Sequence, residues 1–302
     1  MKILVTGANG LLGQKLVGLL SSNTENEIIA TGKGIQRIPP GGFSYLDVDL
    51  TNKNDVDQLI TQTKPDSIIH CAAMTQVDIC ETNRDACWEI NVAATAHLLK
   101  AAEPTNAYFQ YISTDFIFNG ENGPYAEEDT TNPVNYYGES KLEAERLVLA
   151  SSLSTSIIRT VLVYGVGYDL SRSNLVLWVK KSLESGKAIK VVNDQVRTPT
   201  LVEDLAIGCQ KVLEIQATGV FHISGAQTFT PYEIALEVAD FFHLDKKLIT
   251  PVTASTFKEV GKRPPKTGFV IEKAKKMIGF APKDLKQGLA IISNQLGQSS
   301  PV

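Results

Sequence analysis

No apolar run in this 302-residue chain approaches the ~20 residues a membrane-crossing helix needs; even Ser156 to Tyr164 falls far short. There is no Lys/Arg-rich run either. With 29 cations against 33 acids the formal net charge is −4, which carries no electrostatic footprint for nucleic acid. Cysteine is scarce: Cys71, Cys80, Cys87 and Cys209 form no CxxC, and no histidine lies at zinc-ligand spacing from a cysteine pair. No metal site and no disulfide is expected, and the thiols read as reduced and mostly buried. His70, His97, His222 and His243 are scattered and read as structural, although His70 and His222 stand near strand ends. The N-terminus meets glycine at Gly7 straight after a short apolar run, unlike a secretory leader, so a cytoplasmic location is expected. What remains, 43% hydrophobic and 21% charged, is ordinary globular composition without repeats.

Short buried-looking strands at residues 2–6, 27–31, 43–46, 67–71, 108–113 and 156–161 alternate with helical spacing at 11–20, 52–63, 85–102 and 135–150. That rhythm predicts an α/β fold, a Rossmann-type doubly wound parallel sheet with helices on both faces, over residues 1–163. Beyond it, helices at 174–185, 202–216, 232–242 and 284–296 dominate, with strands at 189–192 and 220–223 and breaks at Pro199, Pro231, Pro251, Pro264 and Pro265. A smaller, mainly helical substrate lobe is therefore expected over 164–296, with residues 195–224 returning to the sheet and 297–302 as a frayed tail.

Between the first strand and first helix lies Gly7-Ala8-Asn9-Gly10-Leu11-Leu12-Gly13. A GxxGxxG turn at this point suits a dinucleotide: one glycine makes the tight turn, one admits the pyrophosphate, one lets helix and strand pack. The helix N-terminus offers free N–H groups to the phosphates. The second strand ends in Ala30-Thr31-Gly32-Lys33-Gly34, without the carboxylate that usually accepts from the ribose of NAD, and with Arg37 nearby. Lys33 could bind a 2′-phosphate, which favours NADP(H); the plainer alternative is that Lys33 and Arg37 are solvated loop residues. Asp49, in Asp47-Val48-Asp49-Leu50, could accept from an adenine amino group or merely cap the helix that follows. Cys71-Ala72-Ala73-Met74 ends the fourth strand with small side chains, leaving room for a dinucleotide.

Tyr137-Gly138-Glu139-Ser140-Lys141 sets a phenol and an ammonium at i and i+4 on one helical face. A phenol of ordinary pKa near ~10 is a poor proton donor at neutral pH, and an adjacent cation lowers it. Ile112-Ser113-Thr114-Asp115-Phe116 ends a strand with a hydroxyl that can bond a substrate carbonyl. Thr114, Tyr137 and Lys141 together make a carbonyl-reducing set; separately, each reads as an ordinary surface or strand-end residue.

On these motifs the chain resembles the extended short-chain dehydrogenase/reductase superfamily. Within it, residues 112–120 and 133–141, Arg159-Thr160, Val163-Tyr164-Gly165 and Asn193-Asp194-Gln195…Pro199-Thr200 resemble the dTDP-4-dehydrorhamnose reductases, over nearly the whole chain to about residue 295. The resemblance implies NADPH-dependent reduction at C4 of a nucleotide-linked 4-keto-6-deoxy sugar, with Tyr137 as proton donor, Thr114 polarising the carbonyl and Lys141 tuning Tyr137 and holding ribose. It also implies Gly10, Leu11, Leu12, Asp49, Leu50, Ala72, Ala73 and Met74 along the cofactor, Thr114 and Asp115 at the sugar, and a homodimer. Leu162 stands where the reductases often carry Trp. Val196-Arg197-Thr198 replaces a segment that usually holds Gly in the reductases; both departures fall on the substrate side. A 4,6-dehydratase would need a second acid where Phe116 stands. A 4-epimerase, which recycles NAD, is disfavoured by the missing ribose acid. A non-catalytic subunit keeping NADP as a structural ligand, as in the regulatory β subunit of methionine adenosyltransferase, remains the alternative from another class.

Overall fold

The computed structural model describes residues 1–170 and 173–298. Its first half follows the alternation in the sequence: β1 (Lys2–Thr6), α1 (Leu11–Ser21), β2 (Glu27–Gly32), β3 (Phe43–Asp47), α2 (Lys53–Thr63) and β4 (Ser67–His70). Next come α3 (Val77–Thr82), α4 (Arg84–Trp88), α5 (Ala94–Ala102), β5 (Tyr108–Thr114), α6 (Tyr136–Ala150) and β6 (Thr155–Thr160). The later chain holds β7 (Val163–Tyr164), α7 (Leu175–Glu184), β8 (Ile189–Val192), β9 (Thr200–Leu201), α8 (Val202–Glu214) and β10 (Gly219–His222). It ends with α9 (Pro231–Phe241), β11 (Ile249–Val252), α10 (Glu272–Ile278) and α11 (Leu285–Gln298).

Seven strands pair in parallel in the order β10-β6-β5-β4-β1-β2-β3. The order reverses at β1, whose Thr6 stands opposite Thr31 on one side and His70 on the other. A crevice opens at the carboxyl ends of strands at such a switch point. Because side chains alternate, Ile3 and Val5 pack with Leu16, Val17 and Leu205 on one face. Leu4 packs with Val56, Leu98 and Val148 on the other. A third core gathers α7, α9 and α11 around Val179, Val238 and Leu289, beside the small β8–β11 pair. The segment ending in β10 comes back to the sheet next to β6, and α8 packs against α1.

The differences from the expected elements have local causes. The helix expected over 85–102 is α4, a π-turn at Glu89–Ala93, and α5, preceded by α3. In the π-turn the buried Asn91 side chain accepts from Met74 N at 2.8 Å and donates to Met74 O at 3.0 Å and Ser140 Oγ at 2.9 Å. An apolar period does not reveal that diversion. β11 escaped notice because Pro251 interrupts it, a residue that parallel pairing tolerates at a sheet edge. α10 is a short lysine-rich helix of low contrast. α11 runs through Gly297 and Gln298, correcting the start of the expected tail; residues 299–302 lie outside the described residues.

Beneath α6, Glu145 and Arg159 form a buried ion pair, with Arg159 Nη2 2.8 Å from Glu145 Oε2 and Nε 3.0 Å from Oε1. Both are almost fully buried. Removing one partner of such a pair strands the other charge, so Glu145→Ala should cost about 3–5 kcal/mol in urea unfolding. A loss below ~1 kcal/mol would show that the guanidinium finds sufficient support elsewhere, for instance at the Glu127 carbonyl it already contacts.

Candidate active site

The glycine turn is sterically compulsory at two points. Gly7 has φ +65°, and a Cβ there would lie 2.6 Å from Ala72 N. A Cβ on Gly13 would lie 2.4 Å from the Gly7 carbonyl oxygen. Gly10 caps α1 without a side-chain bond and no acid occupies the first turn, so the terminal N–H groups face outward with their positive field uncancelled. Gly7 and residues 10–13 line a cleft of about 880 Å³ at the switch point, together with Ala73, Met74, Thr114, Asp115, Tyr137 and Lys141.

Other expected cofactor residues lie outside its lining. Leu50 is buried in the core, and the half-buried Ala72 packs against the same cluster; neither is among the residues lining the cleft. Lys33 is exposed and pairs with Asp49 at 2.5 Å. The hydrogen bond with Lys33 holds the Asp49 carboxyl below the usual range, helped by Thr51, and raises the Lys33 ammonium in turn. Asn9, which sequence reasoning passed over, pins the neighbouring loop: its amide donates to Ile35 O and Tyr45 Oη at 3.0 and 2.9 Å, and its oxygen accepts from Arg37 N at 2.9 Å.

At the other end, α6 begins with an Asn135 cap whose Oδ1 accepts from Gly138 N at 2.8 Å. A Cβ on Gly138 would lie 2.1 Å from Phe116 O, so this helix touches the turn after β5 backbone to backbone. That contact carries Tyr137 to the strand end, its ring edge-on to Phe116 at 5.8 Å between centroids. Lys141 Nζ donates to Ile112 O at 2.7 Å and stands 4.1 Å from the Tyr111 ring centre. Burial pushes its ammonium down to about 7, against the attraction of Glu145.

The Thr114 hydroxyl lies 3.1 Å from Asp115 Oδ1 and accepts from Phe116 N at 3.3 Å. An ionised carboxylate only accepts, so the Thr114 hydrogen is directed at Asp115. Asp115 also accepts from Thr267 and faces Arg197 Nε at 3.8 Å. Burial raises the Asp115 carboxyl, with Arg197 the main opposing influence. Arg197, equally buried, turns its hydrogens to the carbonyls of Val196, Pro264 and Pro265 at 2.8, 2.7 and 3.2 Å. Two hydroxyls missed by sequence reasoning, Ser113 Oγ and Thr160 Oγ1, line the cleft buried and without a partner among the described residues. Their signal was position alone, at the carboxyl ends of β5 and β6, where Ser113 stands opposite Arg159 and Thr160 opposite Thr114.

His70 and His222 are buried and structural: His70 sits between Thr6 Oγ1 at 2.7 Å and Thr95 Oγ1 at 3.1 Å, and burial pushes both rings down to about 3. The described residues contain no cluster of His, Cys, Asp and Glu able to hold a metal ion, and no helix long and apolar enough to cross a membrane.

Compared with known proteins, the chain matches the RmlD substrate binding domain over residues 1–297. The chain belongs to that family. A solved dTDP-4-dehydrorhamnose reductase from Clostridium acetobutylicum is 33% identical, with a TM-score of 0.88 over 98% of this chain and 100% of that one. The Bacillus anthracis dTDP-4-dehydrorhamnose reductase, solved in complex with NADP, is 28% identical with a TM-score of 0.85, over 97% of this chain and 99% of that one. The methionine adenosyltransferase 2 subunit beta of Bos taurus is 36% identical over 84% of this chain and 76% of its own length. Leu162 lines the cleft in a left-handed conformation with φ +37°, uncommon for a branched residue.

A lysine held near 7 when folded, against an ordinary 10.5, binds fewer protons folded than unfolded between those values. Its contribution is therefore least favourable below the folded pKa and improves as pH rises through the window. Relative to Lys141→Gln, the ligand-free wild type should gain stability in urea titrations between about pH 7 and about pH 9.5. A constant difference would mean that the buried ammonium keeps its ordinary affinity for protons.

Proposed function

We propose that this protein binds NADP(H) across the ends of β1 and β4 and reduces the C4 carbonyl of a nucleotide-linked 4-keto-6-deoxy sugar, as a dTDP-4-dehydrorhamnose reductase would. The observation that carries the reading is the single cleft shared by the glycine turn, Thr114, Tyr137 and Lys141. In this reading residues 1–163, with the returning segment, hold the cofactor, and the lobe of α7, α9 and α11 closes the substrate side. The cradle at Gly7 and Gly13, which a Cβ would fill, and the bare N-terminus of α1 suit a pyrophosphate. When bound, the nicotinamide supplies the hydride. Tyr137 gives its hydroxyl proton to the oxygen that gains charge on reduction. Lys141, a turn further along the helix, favours the resulting phenolate and can also hold ribose. Thr114 polarises the carbonyl once its hydrogen turns from Asp115. Ala73 and Met74 wall the cofactor, and Lys33 would take the 2′-phosphate by sharing itself between that group and Asp49.

A second reading has one specific observation in its favour. Arg197 and Asp115 are buried against each other at the substrate side, and their hydrogen-bonding capacity is largely directed into the protein. Together with the likeness to methionine adenosyltransferase β subunits, this supports a non-catalytic, NADP-binding subunit acting through a protein partner.

NADPH absorbance during incubation with dTDP-4-dehydro-L-rhamnose, beside an NADH control, separates the two: rapid NADPH-selective oxidation supports the reductase. Binding of NADPH without consumption of any keto sugar supports the second. Tyr137→Phe should abolish reduction while NADPH affinity stays within about two-fold, because only the transferable proton is lost. Wild-type turnover in that variant would end the assignment. Lys33→Ala should weaken NADPH by about ten-fold while NADH changes little; equal losses would remove Lys33 from 2′-phosphate recognition.

A further inference from the structure

The stretch between β11 and α10 adopts little regular structure, yet it contacts α3, the cap of α6, Arg197 and Asp115. Where it passes α3, Asp78 Oδ1 accepts from Val260 N at 3.1 Å and Gly261 N at 3.0 Å. Asp78 also receives Arg263 in a two-point fork, Nη1 to Oδ1 at 2.6 Å and Nη2 to Oδ2 at 2.9 Å. A Cβ on Gly261 would lie 2.6 Å from Val77 Cγ1, and Val77 is a wall of the cleft. One residue on, Lys262 O accepts from Asn135 Nδ2 at 2.8 Å. The other end of that same amide, Asn135 Oδ1, caps α6 at Gly138 N. Pro264 and Pro265 then offer their carbonyls to Arg197, and Thr267 donates to Asp115. Residues 259–267 themselves do not line the cleft; they stand one layer behind it.

We propose that residues 259–267 are a brace that sets the first turn of α6, and with it Tyr137, and that the Asp78–Arg263 pair is the latch that holds the brace. Asp78 and Arg263 are thus positioning residues, acting on Tyr137 through Lys262 and the Asn135 amide. The inference rests on the reading of the cleft as an active site. The mechanical reason lies in Asn135. A side-chain amide whose two ends are both bonded has one orientation, so releasing Lys262 frees Asn135 to rotate and leaves the Gly138 N–H without its fixed acceptor. The hydrogen bonds from Arg263 hold the Asp78 carboxyl at about 2, so the latch stays charged at neutral pH. With the Asp78 side chain 45% exposed and that of Arg263 19% exposed, the latch lies near the surface, where it can be altered without opening the core.

The test compares the full-length wild type with Asp78→Ala, which removes the carboxylate and leaves Arg263 only the Gly261 carbonyl at 2.6 Å and Glu259 at 3.6 Å within its own segment, and Arg263→Lys, which keeps a cation but loses the fork. Hydrogen–deuterium exchange of peptides spanning 135–141 is read in the ligand-free protein. Exchange there should quicken by about ten-fold in Asp78→Ala and less in Arg263→Lys, with NADPH affinity unchanged. In turnover with a keto-sugar nucleotide, kcat should fall by about ten-fold or more while KM for NADPH stays put, as expected for a misplaced proton donor. Faster exchange confined to 257–267, with 135–141 and kcat unaffected, overturns the brace. If the wild type consumes no keto sugar, the catalytic reading fails by that result, and exchange at 135–141 still decides whether the brace exists. Should Asp78→Ala not fold, Arg263→Lys carries the same comparison.

Discussion

Gly7 turns the chain off β1 at φ +65°, with its Cα so near the end of β4 that any side chain would strike the Ala72 backbone. That close approach keeps β1 and β4 in contact to their last residues while the glycine turn leads into α1. The sheet order reverses between the two strands, so the first turn of α1 faces the crevice. Cofactor and substrate sides alike depend on this packing, because β4 leads into the Met74 loop and, through Asn91 and Ser140, into α6.

The chemical side obeys a second contact of the same kind. Gly138 lets α6 rest directly on the Phe116 carbonyl, and the helix delivers Tyr137 and Lys141 beside the end of β5. The cost of this arrangement is desolvation. Lys141 is buried and loses proton affinity, while Asp115 is buried and gains it. Each is offset by a nearby charge, Glu145 for the lysine and Arg197 for the aspartate, so the site's electrostatics reach well into its surroundings. Arg197 itself is held by carbonyl contacts from the Pro264-Pro265 turn.

Much of this was legible in the residues. The glycine spacing, the short buried strands and the Tyr137/Lys141 pair are local patterns, set by covalent geometry and helical period. What could not be read was long-range or non-periodic. Lys33 and Asp49 looked like two separate cofactor contacts and turn out to bond each other. Leu50, three residues past β3, packs into the core with Val56 and Leu59. Asn91 sits in a π-turn that breaks an otherwise helical pattern for the sake of Met74. Thr160 stands beside Thr114 only because two strands distant in sequence pair.

The sequence by itself determined the class of fold, the location of the glycine turn, and the side-chain chemistry available at the strand ends. Those follow from backbone sterics and from periodicities of two and 3.6 residues, which act between neighbours in the chain. Tertiary structure alone decided which groups meet: Arg197 with Asp115, Arg263 with Asp78, Lys262 with the cap of the Tyr137 helix. Such contacts link residues far apart in sequence, through an ion pair at 3.8 Å in the first case and hydrogen bonds of about 3 Å in the others. Their geometry is set by how the whole chain packs, and no local pattern encodes it.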